Sequence, residues 1–142
     1  MCIFFAVTTQ LQVGFNAHSI QNHRRPARHK PLIFKGVVFN AGNGYNNTDG
    51  YFYVPHSGLY YFSVTAGNHY QNKHVRFCLY VDDTKLTRGY SHSSFWDFNT
   101  AHAVVHLNKG QRVWVKSASP DSHSYTELFL CSFTGLLVRP DL

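Results

Sequence analysis

Residues 34–62 read FKGVVFNAGNGYNNTDGYFYVPHSGLYYF, and this stretch decides the fold class. Large aromatic residues alternate in it with small or polar residues, at a spacing that does not follow a helical period. The turn-forming pairs Asn43-Gly44 and Asp49-Gly50, and the turn at 55–58, separate short runs of Val, Phe and Tyr. Strands that are linked by hairpins and bury one face show this pattern. The stretch therefore predicts β-structure.

The rest of the chain continues the pattern, with a turn every 8 to 12 residues or so and no amphipathic helix. Residues 59–66 alternate strictly, with Tyr60, Phe62 and Val64 on one face of the strand. We expect one long irregular excursion, at 12–31. The predicted strands lie at residues 3–9, 35–40, 51–54, 59–66, 75–81, 86–90, 95–107, 112–116 and 127–138. An antiparallel sandwich is the architecture that such a series favours.

The composition describes a folded domain with few charges. A chain of 142 residues fits a single domain and buries roughly 68% of its unfolded surface. Only 14% of its residues are charged, against about 25% in an average globular protein. So few charges are compatible with a surface that is partly covered by partner chains. No run of about 20 apolar residues is present, so no membrane-spanning helix is predicted.

The three cysteines predict neither a disulfide framework nor a metal site. Cys78 and Cys131 fall inside predicted strands. We expect two buried free thiols there, because burial is where a free cysteine usually lies. A bridge between the two remains an alternative, and Cys2 is left as a terminal thiol.

Seven residues of the opening stretch stand at a characteristic spacing: Phe34, Asn40, Tyr45, Phe52, Gly58, Tyr60 and Phe62. This spacing resembles the signature of the complement C1q globular-head family. Phe133 and Gly135 resemble the closing strand of that family, and residues 4–7 resemble its opening strand. Val64 departs from the pattern, because it stands where the family usually has Phe or Tyr. The resemblance covers nearly the whole chain.

The resemblance implies an all-β, ten-stranded antiparallel jelly-roll β-sandwich of the C1q and tumour necrosis factor type, assembled as a trimer. It implies a single head domain over residues 1–142, of the stalkless type found in invertebrates, since no collagen-like Gly-X-Y repeat is present. It also implies an extracellular protein. No secretory signal is visible in the sequence, so a cytosolic location stays open.

Catalysis and metal binding find little support in the sequence. None of the common catalytic motifs is present, and the adjacent carboxylates Asp82 and Asp83 read as turn formers. His102 and His106 would stand about 13 Å apart on a strand and could not share one ion. Some relatives hold calcium in the segment corresponding to 90–99, but only Asp97 offers a carboxylate there, and calcium prefers several. We predict a protein without enzymatic activity and without a cofactor. Calcium stays open as an alternative although the acidic ligands usual in the family are largely missing, and so does a metal held by three copies of one His at a threefold axis.

A basic loop is the first candidate site. No Asp or Glu precedes Asp49, whereas four cations cluster at Arg24, Arg25, Arg28 and Lys30. Such a cluster suits lipopolysaccharide phosphates or sulfated glycans. Nucleic acid is a poorer partner, because no aromatic residue stands among the four to stack on bases. The competing interpretation is a solvated loop with incidental charge.

A second candidate site combines flat rings with hydrogen-bonding groups, as sugar sites do. Its residues are Arg88, Tyr90, His92, Trp96 and Asp97, with His123 and Tyr125 on another predicted loop. Trp114, between two valines, is expected in the core or its wall instead. Asn46-Asn47-Thr48 forms an N-glycosylation sequon in a turn-rich loop.

Two functions follow from the resemblance. The first is an innate-immune pattern recognition module, lectin-like, that binds microbial surface polysaccharide or lipopolysaccharide as a trimer. The alternative is a trimeric signalling or scaffold ligand that binds a protein receptor at the grooves between subunits. In both cases the chain also binds copies of itself, as a homotrimer.

Overall fold

The computed structural model describes residues 11–22, 28–68, 75–91, 97–118 and 131–142. These ranges hold nine strands and no helix. The strands are β1 (Gly14–Ile20), β2 (Phe34–Ala41), β3 (Phe52–Tyr53), β4 (Gly58–Asn68), β5 (Val75–Val81), β6 (Thr84–Ser91), β7 (Asp97–Leu107), β8 (Arg112–Ser117) and β9 (Ser132–Pro140). They form two antiparallel sheets with the strand orders β2-β1-β9-β4-β7 and β3-β8-β5-β6. The predicted antiparallel jelly-roll sandwich is confirmed.

Three signature residues lock the turn after β2 through hydrogen bonds. The Asn40 side chain donates to the Tyr45 carbonyl at 2.8 Å and accepts from the Tyr45 N–H at 3.2 Å. The Tyr45 hydroxyl in turn accepts from the Phe34 N–H and donates to the Phe34 carbonyl, both at 2.9 Å. Burial raises the pKa of Tyr45, so its hydroxyl keeps the proton that it donates. The spacing of Phe34, Asn40 and Tyr45 thus serves one closed hydrogen-bonded unit.

Aromatic rings from both sheets fill the space between the layers. The Phe15 ring stacks on Tyr45 and Phe52 at centroid distances of 4.8 and 4.9 Å, and meets Phe133 edge-on at 4.8 Å. Gly135 faces this cluster, because a Cβ atom there would collide with the rings of Phe15 and Phe62. The alternation read from the sequence therefore marks the inward faces of the strands.

The expected irregular excursion at 12–31 is wrong, because it contains β1. Phe15, Ala17 and Ile20 are buried on this strand, which pairs with β2 on one side and β9 on the other. A bulge between Asn16 and Ala17 interrupts its pairing with β2, so strict alternation does not run through the strand and the sequence pattern is hard to see. The predicted opening strand at 3–9 lies outside the described residues.

The other predicted strands agree with the structure apart from their ends. β5 has the predicted bounds, whereas β3 is two residues long rather than four. The predicted strands at 95–107 and 127–138 begin outside the described residues, and within them β7 and β9 follow. Cys78 and Cys131 are buried thiols that are not joined in a disulfide, as predicted. Desolvation by burial raises the pKa of the Cys131 thiol to about 11.

Candidate functional site

The outward face of the four-stranded sheet carries cations and aromatic rings in alternate positions. Inward residues of β5 and β8 belong to the core, so every second residue of these strands faces outward. The strand register aligns the outward residues in rows across β6, β5 and β8. The rows are Tyr90–Arg76, Arg88–Cys78–Lys116 and Lys85–Tyr80–Trp114.

A groove of about 520 Å³ opens at the β5–β6 side of this face. Four cationic side chains line it, and no carboxylate of a described residue does. Excess charge of one sign in a concave surface raises the local concentration of ions of the opposite sign. The groove is therefore suited to an anion. Its lining residues are Arg28, Arg76, Phe77, Cys78, Lys85, Arg88, Gly89, Tyr90 and Ala118.

Arg28 reaches the groove because its segment follows the edge of β8. The Ser117 carbonyl accepts from the His29 N–H at 2.8 Å, and the Ser117 N–H donates to the Lys30 carbonyl at 2.9 Å. Leu32 continues this ladder through its N–H to the Val115 carbonyl at 2.8 Å. The last part of the predicted basic loop is thus held by backbone hydrogen bonds to the sheet.

Tyr90 supplies the aromatic wall of the groove. Its ring is 43% exposed, and the Arg76 guanidinium lies 5.3 Å from the ring centre. A cation over an aromatic face at this range is a favourable contact. The Tyr90 N–H donates to the Asn99 side chain at 3.3 Å, which ties the end of β6 to the start of β7. A flat ring beside fixed cations is the combination that a charged sugar needs.

Gly89 and Phe77 form the floor of the groove. The two residues are opposite each other across β5 and β6. A Cβ atom at position 89 would collide with the Phe77 ring, which is fully buried in the core. Glycine therefore lets a core ring pack directly against the backbone that underlies the groove.

The structure brings together members of both predicted sites. Arg88 and Tyr90 of the predicted sugar site and Arg28 of the predicted basic loop line the same groove. Lys30 lies beside β8 but does not line the groove, and Asp97 opens β7 in the other sheet. The remaining predicted residues lie outside the described residues: Arg24, Arg25, His92, Trp96, His123 and Tyr125.

Arg76 and Lys85 line the groove but were not predicted as site residues. Both are isolated cations in strand-like runs, and only the register with β6 shows that they converge with Arg88. The strict alternation of 75–81 already placed Arg76 outward and could have served as a signal. Trp114 is 8% exposed and lies on the outward face, packed beside Tyr80 and Tyr51 rather than between the layers.

The outward face of the five-stranded sheet is different, because large apolar side chains stand exposed on it. Val104 is 65% exposed on β7, and Leu136 and Val138 are 50% and 56% exposed on β9. Tyr61 lies between Val104 and Leu136 in the register. An exposed apolar patch of this kind marks an interaction surface.

Metal ligands are not clustered in the described part of the chain. No group of three His, Cys, Asp or Glu side chains within it is arranged to hold an ion. His102 and His106 are both exposed on β7, and the His106 Nε2 lies 2.9 Å from the Asp141 carboxylate. Nor does any helix within the described ranges meet the length and apolarity that a membrane crossing requires.

The family model for the C1q domain matches residues 14–138. The chain belongs to the C1q domain family. The match begins at the first residue of β1 and ends within β9, so it covers the first eight described strands and most of the ninth. The predicted resemblance to this family is confirmed, and nothing in the described residues indicates catalysis.

Curated relatives of this C1q domain carry complement and tumour necrosis factor names. The chain is 29% identical over 134 residues to Complement C1q tumor necrosis factor-related protein 3 of Mus musculus, covering 93% of this chain and 53% of that protein. The human protein of the same name is 28% identical, with the same coverage. The chain thus spans about half the length of the curated relatives it matches first.

Solved structures confirm the fold of the C1q domain. The globular domain of zebrafish complement 1qA protein superposes with a TM-score of 0.73 at 19% identity, covering 91% of this chain and 99% of that one. The Eiger tumour necrosis factor of S. frugiperda superposes with a TM-score of 0.71 at 13% identity, covering 94% and 96%. At these identities the likeness concerns the sandwich itself.

Proposed function

We propose that this C1q domain is a non-enzymatic recognition module that binds anionic microbial surface glycans, lipopolysaccharide among them, through the groove. One observation carries the proposal. Arg28, Arg76, Lys85 and Arg88 converge on a groove that no described carboxylate lines, and Tyr90 stands beside them.

The chemistry of the groove matches a charged sugar on two counts. Guanidinium groups form paired, charge-assisted hydrogen bonds with phosphate and similar anions. The exposed Tyr90 ring offers a flat apolar surface to the C–H face of a sugar. A neutral glycan would use the ring but would offer no opposite charge to the cations, so we expect the groove to prefer phosphorylated or sulfated glycans.

Assembly would raise the affinity of such an open site. A trimer fits the C1q family, and the exposed apolar face of the five-stranded sheet supplies a surface for joining copies. Three linked sites acting together raise avidity by about 10² to 10⁴ when the geometry allows all of them to bind. A weak single groove is therefore sufficient for recognition of a repetitive microbial surface outside the cell.

The test compares Arg88→Gln with the wild-type protein in binding to lipopolysaccharide and to the same lipopolysaccharide after enzymatic dephosphorylation. Loss of one charge-assisted contact should weaken binding to the phosphorylated form by about tenfold or more. Lys35→Gln is the matched control, because it removes one exposed cation from β2, on the other sheet. It should bind as the wild type does.

Two results would contradict the proposal. One is wild-type affinity in Arg88→Gln, and the other is equal affinity for the two lipopolysaccharide forms. The sugar-stacking part is tested separately by Tyr90→Ala and Trp96→Ala on a glycan array. We expect both variants to lose array binding while light scattering still shows an assembled protein.

A receptor-binding ligand is the second candidate, favoured by the tumour necrosis factor names of the curated relatives. In that case the contact surface would lie at the grooves between subunits. Capture of a protein receptor that is unaffected by Arg88→Gln would support this candidate, whereas lipopolysaccharide binding that depends on Arg88 supports the first.

A further inference from the structure

Lys116 is aligned with the groove across the sheet. The register places Arg88 opposite Cys78 on one side, and Cys78 opposite Lys116 on the other. Neighbouring strands lie about 4.8 Å apart, so the backbones at 88 and 116 are separated by about 10 Å. The isolated bridge between Pro31 and Lys116 also brings the basic segment that contains Lys30 alongside. Cations therefore continue from the groove onto β8.

The ammonium group of Lys116 is held in place by aromatic rings. Its Nζ lies 4.4 Å from the centre of the Tyr80 ring and 5.9 Å from that of Trp114. Lys116 makes no ion pair with any residue in the described ranges. A cation fixed over rings loses little freedom when an anion arrives, which lowers the entropic cost of binding.

Arg112 is a natural comparison, because it also faces outward on β8 and also covers a ring. Its guanidinium lies 4.9 Å from the centre of the Tyr51 ring. A carboxylate stands close to it, however, since the Arg112 Nε is 3.9 Å from an oxygen of Asp82. The same Asp82 oxygen accepts a hydrogen bond from the backbone N–H of Arg112 at 3.0 Å. The cationic surface thus ends before Arg112, where Asp82 supplies the opposite charge.

We propose that Lys116 and the groove form one extended site, and that its occupant is a linear sulfated polysaccharide. This inference rests on the proposed function of the groove and names the kind of anionic glycan that the groove takes. One charged group would lie among Arg28, Arg76 and Arg88 in the groove. A second charged group, further along the same chain, would meet Lys116, whose backbone lies about 10 Å from that of Arg88.

The arrangement of the rings argues for a polysaccharide rather than a single-stranded nucleic acid. Bases bind by stacking on open aromatic faces. Here Lys116 covers Tyr80 and Arg112 covers Tyr51, so the exposed Tyr90 offers a surface to a single sugar ring rather than to a run of stacked bases. The Trp114 N–H is also engaged, because it donates to the Asp82 carbonyl at 2.9 Å. Covered rings and outward cations present charge, which sulfate groups match.

The experiment measures the affinity of the assembled protein for heparin, as a linear sulfated probe, and for heparin disaccharide, as a probe that fills only the groove. Lys116→Gln should weaken heparin binding about tenfold and leave disaccharide binding within about twofold of the wild type. It should also reduce the dependence of heparin affinity on salt concentration, because one fewer counterion is displaced. Arg112→Gln is the matched control and should bind both probes as the wild type does.

The outcomes separate this inference from the proposed function. If Arg88→Gln weakens both probes but Lys116→Gln changes neither, the groove stands and the extended site is wrong. Equal losses in Lys116→Gln and Arg112→Gln would also overturn it, because they would indicate a diffuse charge effect. Tighter binding of oligo(dT) than of heparin at the same salt concentration would show that the occupant is a nucleic acid.

Discussion

The two sheets of the sandwich present opposite surfaces to solvent. The five-stranded sheet exposes Val104, Leu136 and Val138, whereas the four-stranded sheet exposes rows of cations over aromatic rings. Both sheets share one continuous aromatic core. The two surfaces suit different tasks, since an apolar surface suits assembly with copies of the chain and a cationic surface suits the anionic ligand that we propose.

Charged residues are distributed unevenly between the two sheets, as the outward positions of β7 and β8 illustrate. The outward positions of β7 from 100 to 106 hold Thr100, His102, Val104 and His106, with no Lys, Arg, Asp or Glu. Outward positions of β8 hold Arg112, Trp114 and Lys116. Partner copies covering the first surface would explain why a chain of this size needs so few charges.

The largest effect should come from placing a charge on the apolar face. Leu136→Asp would bury an unpaired carboxylate in each copy at the assembly surface, at a cost of several kcal/mol per ion. We expect light scattering to change from an assembled species to a monomer. Lys116→Glu is the matched control on the opposite face, and it should lose heparin while remaining assembled. A monomeric Lys116→Glu variant, or an assembled Leu136→Asp variant, would contradict the assignment of assembly to the apolar face.

The next effect should come from Gly89, where the cationic face meets the core. Gly89→Ala forces the Phe77 ring to move, since a Cβ atom would occupy its space. We expect the free energy of unfolding in urea to fall by about 1–3 kcal/mol, with weaker binding of heparin disaccharide and unchanged assembly. Gly89→Ala combined with Phe77→Leu should recover part of the lost stability, because leucine leaves more room. No recovery would show that the ring is not the cause.

A smaller effect should distinguish inward from outward cysteines. The thiolate is the reactive form, and the raised pKa of Cys131, about 11, keeps its thiol protonated at pH 8. In a Cys2→Ser background, we expect iodoacetamide to label Cys78 well before Cys131 in the native protein, and both equally in urea. Peptide mass spectrometry after timed quenching measures the order. Labelling of Cys131 first would contradict its burial.

The same cysteine should make stability depend on pH in a defined window. The folded state holds the Cys131 proton more tightly than the unfolded state, whose ordinary value is 9.0. Its stabilising contribution is therefore fully present below pH 9 and is lost as pH rises through about 11. Cys131→Ala should show a shallower loss of unfolding free energy over this window.

The smallest effect concerns a loop that belongs to neither face. Asn46 is exposed, and its side chain accepts from the Thr48 N–H at 2.8 Å in an open turn. We expect the sequon to carry a glycan when the protein passes through a secretory pathway, with no change in heparin binding or assembly. The mass should fall on treatment with a glycosidase, and Asn46→Gln should show no such change. A glycan that blocks assembly would place this loop on the apolar face.

Sequence reasoning predicted the core well because core positions repeat. Alternation identifies inward residues such as Phe62 and Val64, and the signature spacing predicted the family. It failed at β1, where a bulge breaks the alternation and His18 and Ser19 hide a strand among polar residues. A strand that is stabilised by pairing with a neighbour on each edge need not show a clear alternating pattern in its own sequence.

The site was harder to predict, because it is built from residues far apart in the chain. Arg28 and Arg88 were both singled out, but as members of separate sites. Their convergence depends on backbone hydrogen bonds along β8 and on the β5–β6 register. Arg76 and Lys116 look like ordinary strand cations until the register is known. Local patterns identify which residues are unusual, whereas the pairing of strands decides which of them meet.

The shared floor of the groove constrains how related binding specificities can arise. Gly89 and Phe77 pack against each other in the interior beneath the groove, so a change in either alters the core as well as the groove. The side chains around the opening lie outside the core, so they can be replaced without repacking it. They are Arg28, Lys85, Arg88 and Tyr90. Among related domains we therefore expect the residues at positions 89 and 77 to stay the same and the side chains around the opening to vary. A new ligand specificity would then arise by substitution of those side chains alone.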